Sequence, residues 1–312
     1  SIDSMAQFDV IIVGAGPAGM TAAIYAARAD MKVLLLDKLA PGGQIINTNE
    51  IQNYPGVGTI NGAELAFQMF EHTQQFESIT FDYGTVKEIR EDGAEKTVVC
   101  VEDGKEFTAK ALILATGTEH RCLNVPGEDK FRGNGISWCA ICDGAQYRDR
   151  DVVVIGGGNS AVEESIYLSE MVKSLTIVTM FDLTADPIAC DKLRAMDKVT
   201  IYPYQDVLEF EGEDKLTGVH FKSTKTGEEN HVACDGVFEY IGLIPTTDYL
   251  KDTGLLNKFG YIEVDEKMHT KKEGVFAAGD CVTKNLRQVI TACADGAIAA
   301  QEAAHYVQNL EG

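Results

Sequence analysis

The chain has 312 residues, 45% of them hydrophobic and 24% charged, with a formal net charge of −21. That length suffices for about two domains with buried cores, and the composition excludes an intrinsically disordered chain. The acidic excess leaves no surplus of lysine and arginine to neutralise phosphates, which excludes a nucleic-acid partner. No apolar run approaches the roughly 18–20 residues of a membrane span, and no basic-then-apolar leader opens the chain, so no membrane association is expected and the expected location is the cytoplasm. Met5 is expected to begin the native protein. Eight cysteines in such a chain are too sparse for a disulfide scaffold, and most are expected to be reduced and buried.

The first predicted unit is "FDVIIVGAGPAGMTAAIYAARADMKVLLLD". An apolar strand over Val10 to Val13 runs into a glycine turn, a small-residue helix and a second strand ending at Asp37. Gly14 suits the tight turn, Gly16 lets a pyrophosphate approach the backbone, and Gly19 lets helix and strand pack closely. The helix N-terminus then offers N–H groups and a positive dipole end to the phosphates. Asp37 stands 18 residues after Gly19, where a carboxylate accepts hydrogen bonds from ribose hydroxyls.

Short β-rich stretches follow, such as "KTVVCVEDGKEFTAKALILATGT", which ends in the turn Ala115-Thr116-Gly117. Further on, "WCAICDG" sets Cys139 and Cys142 two residues apart with Asp143 directly after. Zinc would need a second ligand pair, and no second CxxC exists, so no metal is expected. Two inert core cysteines are the bland alternative. A redox-active dithiol is the expectation, because this spacing allows a readily reversed disulfide and a nucleophilic thiol. Asp143 is placed to move the proton that thiol chemistry needs, though an acid there can also serve as a helix cap. Cys100, Cys122, Cys190, Cys234, Cys281 and Cys293 have no such neighbour and are read as structural.

The second unit, "DVVVIGGGNSAVEESIYLSEMVKSLTIVT", repeats the first design with Gly156, Gly158 and Ala161 at the small-residue positions. Eighteen residues past Ala161 stands Thr179, followed by Met180 and Phe181. No carboxylate is present for a ribose, and no cation for a 2′-phosphate; Asp182 and Asp186 would repel one. A nucleotide site and a unit kept only as scaffold both fit this stretch. Towards the end, "GVFAAGDC" is a buried strand leading to Gly279-Asp280, and a helix is predicted from about Val289 to Val307. The fold class expected is α/β, with two Rossmann-like (three-layer ββα) dinucleotide-binding domains, the second inserted into the first. Residues 1–118 and 244–312 would form one domain and residues 119–243 the other, with hinges at "TGTEHR" and "GLIPTTD".

The motifs "GAGPAG", "GGQIINTNEIQNYPG", "ATGTEHRCLNVPGE", "WCAICDG", "GGGNSAVEE", "GVFAAGDC" and "RQVITACADGAIAA", in this order, resemble the low-molecular-weight thioredoxin reductases over nearly the whole chain. The resemblance implies FAD in the first domain, a homodimer, and a CxxC that relays electrons to the disulfide of thioredoxin. It places Gly14, Gly16, Pro17 and Ala18 along the FAD pyrophosphate and Asp37 on its ribose. Gly43, Gln44, Asn53 and the turn Ala115-Thr116-Gly117 join the cofactor site, with Val86 at the adenine. Asp280 falls at the ribityl chain, and Arg287, Gln288 and Val289 at the isoalloxazine, where a helix start would stabilise the charge that reduction creates. It also implies that Cys142 faces the flavin and Cys139 attacks thioredoxin.

NADPH-dependent members of that family carry arginines where this chain has Met180, Phe181 and Ala185. In that respect the sequence looks most like the ferredoxin-dependent flavin thioredoxin reductases, and reduced ferredoxin is the expected donor. An NAD(P)H-dependent reductase, or a reductase of another small disulfide protein, is the alternative. A plant-type ferredoxin near −400 mV lies about 130 mV below thioredoxin, roughly 6 kcal/mol downhill for two electrons. Ferredoxins tend to be acidic, so docking on an enzyme of net charge −21 needs a local basic patch. Arg148 with Arg150, or Lys192 with Arg194 and Lys198, are the candidates.

Overall fold

The computed structural model describes residues 6–48 and 51–311. Met5, and Asn49 and Glu50 of the quoted motif, lie outside the described residues. The chain divides into two compact units. One comprises the chain up to Ile46, Gly62–Glu119 and everything from Ile244 on; the other comprises Asn47–Asn61 and His120–Leu243. The stretch 47–61, assigned by sequence to the first domain, thus groups with the inserted one. Within that unit Gly133 leaves room for the Asn47 carbonyl, 3.0 Å from where a Cβ would stand.

The first unit is built on a parallel sheet in the order Ile79–Tyr83, Val33–Asp37, Phe8–Val13, Glu106–Leu114, Val275–Ala277. The antiparallel strands Val86–Asp92 and Glu95–Cys100 continue from the first half of Glu106–Leu114. Strands buried on both faces read as unbroken apolar runs, and "VIIV" and "VLLL" are such runs. Helices Pro17–Arg28 and Val289–Glu311 lie against each other, with the alanines of both packed on one side of the sheet. Gly296 makes the approach possible: a Cβ there would sit 2.1 Å from the Ala18 carbonyl oxygen. The other side is covered by Leu250, Leu255, Ile262 and Val282.

The second unit holds a five-stranded parallel sheet, ordered Val199–Tyr202, Ser174–Val178, Asp151–Ile155, Gly236–Glu239, Ile136–Ser137. Helices Asn159–Ser169 and Pro187–Arg194 belong to it, as does the antiparallel meander Gln205–Gly212, Leu216–Ser223, Glu229–Ala233. The duplicated plan is visible in the backbone. Gly14 (φ 108°) and Gly156 (φ 125°) each stand where a Cβ would meet a carbonyl oxygen, of Ala115 and Tyr240 respectively, at 2.1 Å. Gly16 and Gly158 then cap the two helices in extended conformation. This is the α/β architecture with Rossmann-like domains that the motifs imply.

Candidate active site

In the first unit the glycine turn is a meeting of three segments. Gly16 caps the helix that Pro17 and Ala18 begin, where the fixed φ of proline suits the first position and its missing N–H costs nothing. Gly43, at φ 64°, places a would-be Cβ 3.2 Å from the Gly16 Cα, and Gly42 N–H donates to the Ala15 carbonyl at 2.7 Å. Asp37, at the end of its strand, accepts the Ala15 N–H at 2.7 Å through one oxygen and the Leu39 N–H at 3.0 Å through the other. Its carboxylate therefore stands directly at the turn. Thr116 donates to the Thr246 carbonyl at 2.7 Å and lies 3.0 Å from the Tyr249 hydroxyl, while Gly117 takes φ 66°. Gln44 donates to the Thr118 carbonyl. Val86 begins its strand, partly buried against the core.

A second cluster of the same unit surrounds Asp280, in the short turn Gly279–Cys281. The Asp280 Oδ1 is buried with no hydrogen-bond partner among the described residues. Burial pushes its carboxyl above the usual range, Lys284 and Arg287 oppose that shift, and Asp295 adds to it. Arg287, expected beside an isoalloxazine, spends its guanidinium on the carbonyls of Asp280, Val282 and Lys284 at 3.0, 3.1 and 3.3 Å. It also lies 4.4 Å from the centre of the Tyr261 ring. Lys284 and Asp295, which sequence reasoning missed, form an ion pair at 2.7 Å. The Gln288 N–H donates to Thr291 Oγ1 at 3.0 Å just ahead of the helix that begins at Val289. Asn53 falls in the other compact unit and is exposed.

In the second unit Cys139 and Cys142 form a disulfide across the start of the short helix Ala140–Asp143, with Cα atoms 5.2 Å apart. The cap of that helix is Cys139, whose Sγ accepts the Cys142 N–H at 3.2 Å. Asp143 closes that helix and stands at the N-cap position of the following turn Gly144–Tyr147 without a side-chain cap bond, buried at 9% exposure. One carboxylate oxygen accepts Ser137 Oγ–H at 2.5 Å and the other accepts Gln146 Nε2–H at 3.3 Å. Ser137 Oγ in turn accepts the Cys139 N–H at 3.2 Å, and the Tyr240 hydroxyl accepts the Ala140 N–H at 2.7 Å. Ser137 and Tyr240 carry no sequence signal; only the pairing of the strands Ile136–Ser137, Gly236–Glu239 and Asp151–Ile155 brings them here. A buried carboxylate one residue from a thiol and held by a hydroxyl can take up and return a proton.

A further group of aromatic and ionisable side chains lies in the same unit. The His120 ring stacks on Trp138 at 5.0 Å, and the Arg132 guanidinium lies 5.5 Å over the same indole. Burial, with Arg132 adding to it, pushes His120 down to about 4, so the imidazole is neutral at pH 7. Glu239, 1% exposed, is pushed up to about 9 by burial and by the neighbouring Glu128 carboxylate. Of the other cysteines, Cys100, Cys190, Cys234, Cys281 and Cys293 are buried, and Cys122 is half-buried with its sulfur accepting from Arg132 at 3.0 Å. Among the described residues no three His, Cys, Asp or Glu side chains stand where they could hold a metal ion, and no helix is long and apolar enough to cross a membrane.

The second glycine turn packs at Gly157 against the loop that follows the strand Ser174–Val178, while Gly158, Asn159 and Ser160 are exposed. Thr179 is 5% exposed, with its Oγ1 2.6 Å from where a Gly157 Cβ would stand, and Thr184 N–H donates to the Gly157 carbonyl at 2.8 Å. Met180 and Phe181 are 53% and 65% exposed. Of the basic residues nearby, Arg194 is within 3.5 Å of Asp182 and 3.6 Å of Asp191, and Lys198 donates to the carbonyls of Ser169 and Val172. The charge of these two is committed locally, while Arg148, Arg150 and Lys192, the other candidates for a basic patch, are exposed.

The chain matches the pyridine nucleotide-disulphide oxidoreductase family over residues 8–296. It is 45% identical to a thioredoxin reductase of Bacillus subtilis over 306 residues, covering 97% of this chain and 96% of that one. A thioredoxin reductase of Listeria monocytogenes is 44% identical over the same length, covering 97% and 95%. The solved thioredoxin reductase of Streptococcus pyogenes superposes with a TM-score of 0.92 at 43% identity, covering 97% of this chain and 98% of that one. With its paired glycine turns and its CxxC disulfide beside a buried acid, the chain belongs to the pyridine nucleotide-disulphide oxidoreductase family and, within it, to the thioredoxin reductases.

Proposed function

We propose that this thioredoxin reductase draws electrons from a nicotinamide nucleotide and delivers them, through FAD, to the Cys139–Cys142 pair and on to the disulfide of thioredoxin. Its cofactor is FAD, which takes up reducing equivalents and hands on an electron pair. The first unit fits such a group: Gly14, Gly16 and Gly43 leave a turn bare of side chains, and Asp280 carries a buried acceptor oxygen with no partner among the described residues. Gly14, Gly16, Pro17 and Ala18 would hold the pyrophosphate on the helix N-terminus, and Asp37 the ribose. Gly43, Gln44 and Ala115-Thr116-Gly117 would line the site, with Val86 at the adenine, Asp280 at the ribityl chain, and Gln288 and Val289 at the ring. The part of Asn53 rests on the resemblance alone, and Arg287 acts by shaping the loop.

Once the pair is reduced, the Cys139 thiolate attacks a sulfur of the thioredoxin disulfide. One sulfur of thioredoxin leaves as a thiolate and a mixed disulfide forms. Cys142 then attacks Cys139, which restores the intramolecular disulfide and frees thioredoxin with two thiols. Asp143, held by Ser137, supplies and receives the proton. The observation that carries this reading is the Cys139–Cys142 disulfide with the buried Asp143 carboxylate beside it.

The family's description supports the nicotinamide donor, as does the complete strand–turn–helix–strand unit around Gly156. The ferredoxin donor expected from sequence becomes the second reading. It is favoured by one observation, that Thr179, Met180 and Phe181 offer neither carboxylate nor cation, and weakened by the local pairing of Arg194 and Lys198. Anaerobic titration of the oxidised flavoprotein with NADH, NADPH and reduced ferredoxin decides between them: saturable bleaching by a nucleotide supports the first, and bleaching by ferredoxin alone overturns it. The resemblance also supports a homodimer, which sedimentation velocity would read as twice the monomer mass. A cytoplasmic location is proposed on the same ground.

A further inference from the structure

We infer that Lys284 and Asp295 are positioning residues for the cofactor, an ion pair that holds the Gly279–Asp280 turn so that one oxygen of Asp280 is left for a cofactor hydroxyl. The inference rests on the reading that Asp280 receives FAD. Its basis is the sharing of a single atom. Asp295 Oδ2 accepts Lys284 Nζ–H at 2.7 Å and also the Gly279 N–H at 3.1 Å. The side chains of the pair are 12% and 14% exposed, so water screens them little, and the bond ties the helix Val289–Glu311 to the turn. Gly279 takes φ 84°, with Ala18 Cβ 2.8 Å from where its own Cβ would stand, so the turn is anchored on both sides. Arg287 fixes the other half of the loop through the carbonyls of Asp280, Val282 and Lys284. With the backbone held this way, the Asp280 Oδ1 is buried without a donor among the described residues. A buried acceptor left in that state calls for a donor from outside the chain.

The same pair sets the charge on Asp280. Burial and Asp295 raise its pKa, while Lys284 and Arg287 lower it. Removing the Lys284 charge raises it further, so the acceptor carboxylate is lost at a higher pH as the solution is acidified.

The experiment is titration of FAD into apoprotein, followed by quenching of FAD fluorescence, from acid to alkaline pH. Lys284→Met should weaken FAD about tenfold near neutrality and move the acid limb of the affinity profile to higher pH. Lys284→Arg should restore both. Lys284→Gln keeps a donor for Asp295 without the charge, so it should fold and shift the profile in the same way. If Lys284→Met and Lys284→Gln leave the profile unmoved, or lower affinity by one factor at every pH, the positioning role is refuted. Asp280→Ala separates the two levels: unchanged FAD affinity there overturns the reading of Asp280 itself, whereas a loss there with an unmoved Lys284→Gln profile overturns only the inference.

Discussion

Replacing Met180 and Phe181 together by arginine should turn the second glycine unit towards NADPH. The two residues follow the strand Ser174–Val178 at the point where the second strand of such a unit meets the ribose of a bound nucleotide. With 53% and 65% of their surface in solvent they bury little, so the exchange should change stability by no more than about 0.5 kcal/mol. Each arginine adds a charge-assisted hydrogen bond to a 2′-phosphate worth about 1.5–3 kcal/mol, a factor of about 10 to 150. Asp182 works against this. It is half-exposed, its Oδ1 accepts the Leu183 N–H at 2.8 Å, and Arg194 at 3.5 Å offsets its charge only in part. The expected gain for NADPH over NADH is therefore at the lower end, about tenfold for the double variant. In the native chain NADH should serve at least as well as NADPH. Anaerobic stopped-flow bleaching of the flavin against nucleotide concentration measures both. A native preference for NADPH at micromolar concentration, or no gain from the arginines, would refute the placement of the 2′-phosphate at this loop. Bleaching of both proteins by reduced ferredoxin and by neither nucleotide would carry the second reading instead.

Cys139→Ser and Cys142→Ser should each retain FAD and still be reduced by the donor, yet lose thioredoxin reduction in a coupled disulfide assay; wild-type turnover in either would refute the relay. Asp143→Asn should slow that turnover by about 10²–10⁴-fold with FAD content unchanged, and Ser137→Ala, which removes the hydroxyl at 2.5 Å, should slow it less and in the same step. Unchanged single-turnover rates would reduce Asp143 to a structural acid. Glu239 gives a stability prediction. Its folded pKa of about 9 lies above the usual carboxyl value of 4.5, so its favourable contribution is complete below about pH 4.5 and is lost as pH rises through about 9. Glu239→Gln should thus melt higher than the native chain at pH 8 and lose that advantage towards pH 5; a difference independent of pH would show that the carboxyl is not held protonated.

What the sequence by itself determined is local. Gly14 and Gly16 with Pro17 specify a turn and a helix start through backbone freedom and a fixed φ, and neither needs a distant neighbour. Unbroken runs such as "VIIV" predict buried parallel strands, and the spacing of Cys139 and Cys142 permits their disulfide. Tertiary structure decided where the polar groups spend their bonds. Arg287 goes to three carbonyls of its own loop, Lys198 to carbonyls at the C-terminal end of the helix Asn159–Ser169, and Asp143 to Ser137. It also placed Asn47–Asn61 with the inserted unit, set Gly43 against Gly16, and joined Gly279 and Lys284 on one oxygen of Asp295. Backbone conformation answers to steric terms within a few residues, so it can be read along the chain. A hydrogen bond answers to distance and direction in space, and for Ala140 and Tyr240, 100 positions apart, these exist only once the strands between them have paired.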